Sequence, residues 1–224
     1  SGAGKTKLYI VFNSDRGQAG AFNSNIFAQA HKSFLEDRAA GFSPAVIVFG
    51  RKGSSHFSHL AGIDLLGAYE DIADTPDINV FAPVLETIEN GFSENQFASV
   101  SIIYTEFKST LVQSVKQSQL LPISLGANEV GDSAEISTKV YEFEPGIEAV
   151  IEEALRIYFE ARFIAARVES AASEHAMRMV AMGNANRNAK DLADALKLEL
   201  NSVRQAAITQ EIAEITGGVQ AISG

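Results

Sequence analysis

Residues 145–215 read PGIEAVIEEALRIYFEARFIAARVESAASEHAMRMVAMGNANRNAKDLADALKLELNSVRQAAITQEIAEI, and no proline follows Pro145. Alternate steps of four and three from Ile147 land on Ile151, Ala154, Tyr158, Ala161, Ala165, Val168, Ala172, His175, Met179, Met182, Asn186, Ala189, Ala193, Leu196, Leu200, Val203, Ala207 and Gln210. All are apolar except His175, Asn186 and Gln210. A stripe of that period, sustained over roughly nine heptads, predicts one long helix whose apolar side is covered by a partner helix. At 1.5 Å per residue, some 75 residues make a rod on the order of 110 Å, more than a compact domain of this size can bury. A second apolar line through Val150, Ile157, Phe163 and Ile164 is expected to pack the start of the helix on the preceding domain.

Residues 1–145 have a different texture. Lys7–Asn13 and Ala45–Phe49 read as strands, Asn23–Ala40 as an amphipathic helix, and Gly50-Arg51-Lys52-Gly53 as a turn before a short helical stretch near Ser54–Ala61. Val80–Asn90 reads as a helix with Pro83 in its first turn and Gly91 closing it, and Ser99–Glu106 as a further strand. Thr110–Leu121 is polar-apolar up to Pro122, Leu125–Ser137 is glycine-rich and suits a mobile loop, and Lys139–Phe143 alternates again. Strand–helix alternation of this kind predicts an α/β fold: a small three-layer, Rossmann-like domain with a largely parallel sheet, followed by a long C-terminal coiled-coil helix. The expected domain boundary lies at Pro145-Gly146, dividing 1–145 from 146–224.

Composition narrows the function. Of the 224 residues, 46% are hydrophobic and 21% charged, enough for one real core. The unbroken apolar run Ala45–Phe49 is far too short to cross a bilayer, and there is no basic-then-apolar leader, so no direct membrane insertion is expected. A net charge of −10 argues against nucleic acid, and the absence of cysteine removes disulfides and thiolate chemistry.

Several short motifs invite a site. Ser1-Gly2-Ala3-Gly4-Lys5-Thr6 looks like the tail of a phosphate-binding loop, but the strand follows it instead of feeding it. The turn Ser14–Asn23, with Gly17 and Gly20, lies where helix amides receive an anion, although Glu36 and Asp37, the acids that would hold a ribose, fall inside the predicted helix. His56 and His59, with Asp64 near, have the spacing of a metal pair without a third convincing ligand. His175 lies in the stripe and reads as a polar register-setting position facing a partner. No metal or cofactor is expected.

A resemblance covers nearly the whole chain. Ser14-Asp15-Arg16-Gly17 with Phe22-Asn23-Ser24-Asn25, then Gly50–Gly53, Phe107-Lys108-Ser109, Leu121-Pro122 and Tyr141–Pro145, follow the order found in the gamma subunit of F-type ATP synthases. Met179-Val180-Ala181-Met182, Asn184-Ala185 and Ala206–Ile215 resemble that family's mid-helix region and C-terminal signature. Departures are Gln18-Ala19-Gly20-Ala21 in place of a glycine-rich turn, Gly218 where alanine is common, and the lack of the family's long N-terminal helix ahead of the first strand.

The resemblance implies a non-catalytic central-stalk rotor subunit, coupling proton-driven rotation to conformational change in the catalytic beta subunits. Its implied partners are the alpha and beta subunits, an epsilon-type subunit, the membrane rotor ring, and the N-terminal gamma helix that is absent from this chain. The implied place is peripheral to an energy-transducing membrane, on a bacterial cytoplasmic or mitochondrial matrix face. By similarity Arg204, Gln205, Thr209 and Glu211 touch the surrounding subunits' loops. Ile208, Ile212 and Ile215 enter a hydrophobic sleeve, and Arg178, Met179 and Met182 face the catalytic subunits. Two other classes stay open from the residues alone: a nucleotide-binding α/β enzyme using the Gly17–Gly20 turn, and a self-associating coiled-coil scaffold.

Overall fold

The computed structural model describes residues 4–123 and 146–222. The expected loop Leu125–Ser137, the strand Lys139–Phe143 and the first half of the amino-terminal glycine–lysine motif lie outside them. Five strands, β1 (Thr6–Phe12), β2 (Ser43–Phe49), β3 (Asp64–Tyr69), β4 (Phe97–Phe107) and β5 (Gln113–Leu121), form one sheet in the order β3-β2-β1-β4-β5. The first four are parallel, and β5 runs antiparallel to β4. The connections are α1 (Phe22–Ala39), α2 (Arg51–Phe57) and α3 (Ala82–Ser93), the last preceded by a 3-10 turn at Ile78–Phe81. The fourth helix, α4 (Ile147–Ile222), runs 76 residues. The fold is therefore α/β with a mostly parallel sheet and a long C-terminal helix.

Central strands of such a sheet are covered on both faces, and this is why β1, β2 and β4 read as nearly continuous apolar runs. Leu8, Ile10 and Phe12 point to one face with Ala45, Ile47, Phe49, Val100 and Ile102, where α3 supplies Val84 and Ile88 and α4 supplies Phe163 and Ala166. Tyr9, Val11, Val46, Val48 and Ile103 point to the other, where α1 supplies Phe22, Ile26 and Phe34 and α2 supplies Phe57. The chain places its first two crossover helices on one face, then doubles back past β1 and lays α3 and α4 on the opposite one. Three layers result.

Some local expectations change. The turn is confined to Gly50, whose φ of +117° and close approach to the carbonyl of Asn13 leave no room for a side chain, and α2 begins at once with Arg51. Gly91 does not end α3, which continues to Ser93. It is buried because the ring of Phe97 occupies the space a β-carbon would need. Strand β3 is an additional element, and Thr110–Leu121 resolves into a short turn and β5.

Two compact units divide the chain, one running to Met179 and the other from Val180 onward. In the first, the early residues of α4 pack on the sheet. The described residues of the second are helical, and nearly all are exposed.

Candidate functional site

The turn after β1 is built from its own polar atoms. The backbone N–H of Ser14 donates to Asn23 Oδ1 at 3.1 Å, and Asn23 Nδ2 donates to Ser14 Oγ at 2.7 Å, tying the end of β1 to the first turn of α1. Gln18 and Gly20 take left-handed φ values of 67° and 56°, which closes the turn. Asp15 Oδ1 accepts from the backbone N–H of Arg51, at 2.9 Å, and of Asp71, at 3.2 Å. Its carboxylate thus caps the start of α2 and places negative charge beside the turn, which disfavours an anion there. The proposed ribose acid is committed elsewhere too. Asp37 is buried, accepting from Tyr9 Oη at 2.5 Å and pairing with Lys7 Nζ at 2.5 Å. Burial, and then the hydrogen bond to Asp37, push the Tyr9 phenol well above its ordinary range.

The histidines pair differently from the expected spacing. His59 Nδ1 lies 2.8 Å from the carbonyl of Ser55 one helical turn back, while His56 Nε2 meets His31 Nε2 of α1 at 2.9 Å. No group of three or more metal-ligating side chains occurs among the described residues.

What the fold does assemble is a clamp on α4. Phe163 is fully buried beside Phe81, their ring centroids 5.6 Å apart, and Ala166 lets the helix approach the sheet closely. Ser170 Oγ accepts from the backbone N–H of Thr105 at 3.2 Å, and Ser173 Oγ donates to the Thr105 carbonyl at 3.2 Å, so two serines satisfy the end of β4. Arg167, buried, donates to the carbonyls of Ile72 and Ala73 at 2.6 and 3.1 Å and pairs with Asp74 at 3.0 Å.

Asp74 also accepts from His175 Nε2 at 2.8 Å, so His175 is engaged within this chain and not held free for a partner. That bond is the main cause holding the Asp74 carboxyl below its usual value, with Arg167 and Arg178 adding to it. Asp15, Arg16, Asp71, Asp74, Glu174 and Arg178 border an open cleft of about 330 Å³ beside the clamp. Glu174 pairs with Arg178 and Asp74 with Arg167 and His175, while Asp71 pairs with Arg51 outside the cleft.

Of the second apolar line, Phe163 and Ile164 reach the core, whereas Ile157 is exposed. It fails beyond that point because the sheet underlies only part of the helix start. The main stripe is uncovered. Ile151, Tyr158, Ala161, Ala165 and Val168 are all exposed, as are Met179, Met182, Leu196, Leu200 and Val203, with Leu200 at 67% and Val203 at 62% of full accessibility. Arg204, Gln205, Ile208, Thr209, Glu211, Ile212 and Ile215 are exposed along the same helix, and the Thr209 hydroxyl donates to the Gln205 carbonyl at 2.8 Å. Arg178 differs. It is half-buried and bonded to Glu174 and His175. The clamp residues Arg167, Ser170, Ser173 and Asp74 carried no motif in the sequence, because each acts through a neighbour some 65 to 95 positions away.

Comparison with known proteins follows the same outline. The family model described as ATP synthase matches residues 2–222. The ATP synthase gamma chain of Chloroflexus aurantiacus is 39% identical over 222 residues, covering 98% of this chain and 73% of the relative. That of Clostridium novyi is 35% identical over 215 residues, covering 96% and 72%. Among solved structures, the central stalk and c-ring of Tetrahymena thermophila mitochondrial ATP synthase aligns with a TM-score of 0.64 and 26% identity, over 83% of this chain and 79% of that one. A chain of the Euglena gracilis mitochondrial ATP synthase shares the fold at a TM-score of 0.69 and 19% identity, over 97% and 73%. With a parallel sheet clamped to a helix whose apolar side is left open, and with relatives matching over most of their length, this chain belongs to the ATP synthase family as a gamma chain, the rotor subunit of the central stalk.

Proposed function

We propose that the chain transmits torque and performs no chemistry itself: residues 1–145 serve as a foot toward the membrane rotor ring and an epsilon-type subunit, and residues 146–224 as the shaft helix. The observation that carries this reading is the uncovered stripe of α4, exposed from Ile151 to Val203. Fully burying one leucine or valine side chain stabilises by about 1.5–3 kcal/mol, so a helix with this many exposed in line has a strong drive to be sheathed. The family's N-terminal gamma helix is the covering we infer, since alanines at 154, 161, 165, 172, 189 and 193 allow two helices to approach closely.

Beyond the stripe, Arg204, Gln205, Thr209 and Glu211 offer charged and hydrogen-bonding groups to the alpha and beta subunits, while Ile208, Ile212 and Ile215 provide a smooth apolar bearing. Met179 and Met182, supported by Arg178, face the lower part of the catalytic subunits. An asymmetric shaft in a ring of alternating subunits favours a different conformation in each catalytic site through differential contacts, and turning it moves those preferences around the ring. The complex works on the matrix or cytoplasmic face of its membrane.

The test is Gln205→Ala and Thr209→Val in a reconstituted complex. Turnover is expected to fall while the circular dichroism of the chain stays that of the wild type. Undiminished turnover in both would refute the assignment of these contacts. The same exposed stripe supports a second behaviour for the chain alone, self-association, which sedimentation reads as a mass above 24.0 kDa that grows with concentration.

A further inference from the structure

We propose that His31 and His56 form a two-histidine site for a divalent late first-row transition ion, Cu2+ or Ni2+, which would staple α1 to α2. The two residues lie 25 positions apart, and the fold brings their Nε2 atoms to 2.9 Å. With metal–nitrogen bonds of about 2.0–2.1 Å, two cis ligands at 90° sit about 2.9 Å apart, whereas a tetrahedral angle would put them at about 3.3–3.4 Å. The spacing therefore suits the square or octahedral geometry of Cu2+ and Ni2+ better than the tetrahedral preference of Zn2+.

Aromatic packing already holds both rings. The His56 imidazole stacks on Phe27 at 3.9 Å and meets Phe57 edge-on at 5.1 Å, and the His31 ring stands at 82° to it with its edge toward Phe34. Neither Nδ1 has a hydrogen-bond partner among the described residues, so each ring is free to carry its proton there and leave the Nε2 lone pair for a metal. In the unligated pair one Nε2–H donates to the other Nε2. Metal entry moves that proton to the same ring's Nδ1, and a neutral pair releases none. Both residues are half-buried, leaving one side open for water ligands, and the net charge of −10 favours a cation.

Titrating the full chain with CuCl2 and NiCl2 at pH 7.5 in a non-chelating buffer tests the site, with ZnCl2 and MgCl2 alongside. One ion per chain is expected, with Cu2+ and Ni2+ ahead of Zn2+ and no Mg2+ bound. The melting temperature should rise by about 5 °C or more when free metal reaches about a hundredfold its Kd. Cu2+ electron paramagnetic resonance of the wild type should show splitting from two imidazole nitrogens, a readout that needs no variant. His31→Asn and His56→Asn should each weaken binding about tenfold or more, and His59→Asn should leave it unchanged. Failure to bind at millimolar metal, a spectrum with one nitrogen, or binding that survives both substitutions would overturn the site and show a simple hydrogen-bonded pair. None of these outcomes touches the rotor reading, which rests on α4.

Discussion

Replacing Phe163 by alanine tests how α4 is held. The side chain is 0% exposed and lies between β-sheet and α3, against Phe81. Truncation removes apolar surface on the order of 150 Å², which at about 25 cal/mol/Å² is about 4 kcal/mol, within the range of about 3–5 kcal/mol seen for buried Phe→Ala changes. For a chain of this size each kcal/mol moves Tm by about 2–4 °C, so the variant should melt about 8–16 °C lower. Val168→Ala, on the uncovered stripe at 38% exposure, is the control and should cost under about 1 kcal/mol. Calorimetry gives both values. Hydrogen exchange should also report faster amides around residues 160–176 in the Phe163 variant, because losing the anchor lets that part of α4 open locally. A Phe163→Ala melting point within about 2 °C of the wild type would show that other contacts hold α4, and the clamp described above would be wrong.

Two further outcomes concern pH. The Tyr9 phenol has a raised folded-state pKa, so its contribution to stability is complete below the ordinary value near 10.0 and is lost as pH climbs beyond it. Wild-type Tm should therefore fall from about pH 10 upward, and Tyr9→Phe should flatten that slope while costing about 1–3 kcal/mol at neutral pH by removing a donor from buried Asp37. Asp74 has a depressed pKa, so its contribution is present above the unfolded value of 3.8 and is lost as pH drops through the folded one. Asp74→Asn should blunt acid destabilisation below about pH 4 in a urea-melt series, and because the carboxylate is half-exposed the effect should shrink in high salt.

The sequence made the central strands and the long helix legible for one reason: burial on both faces leaves unbroken apolar runs, and a one-sided helix leaves a repeating stripe. It hid β3. Leu65 packs toward the α1 side and Tyr69 toward the α3 side although both are odd-numbered, because the pairing with β2 shifts register between Val46 and Ile47. A bulge erases the alternation that would announce a strand. Gly67 weakens it further. The start of α2 was obscured by Gly53 and by polar neighbours that resemble a turn, and Gly91 resembled a helix end when its smallness instead serves Phe97. The α4 positions proposed as subunit contacts come from the resemblance alone, and the fold leaves all of them but Arg178 exposed. The clamp was not, since Arg167 and Asp74 are ordinary charged residues until folding sets them 3.0 Å apart. The pairing of His31 with His56 is hidden in the sequence for the same reason, while His56 and His59, only three positions apart, go separate ways.

The two apolar lines of α4 allow one helix to pack on the sheet and still offer a face to the second helix proposed above. The clamp uses Phe163, Ala166, Ser170 and Ser173, spaced three, four and three, and all four are buried. The stripe beside it uses Ala161, Ala165, Val168 and Ala172, spaced four, three and four, and it remains largely open. The lines are offset alternately by two residues and by one, which at about 100° per residue centres them about 150° apart, on largely opposite sides of the helix. A covering helix therefore lies against the side turned away from the sheet and displaces nothing. Small residues occur on both sides because both require close approach: Ser170 and Ser173 must reach the backbone of Thr105, and the alanines must admit a second helix. Twisting such a pair loads the sheet through Phe163, Arg167 and the two serines, a set combining shape, charge and hydrogen bonds, which resists sliding better than an apolar contact alone.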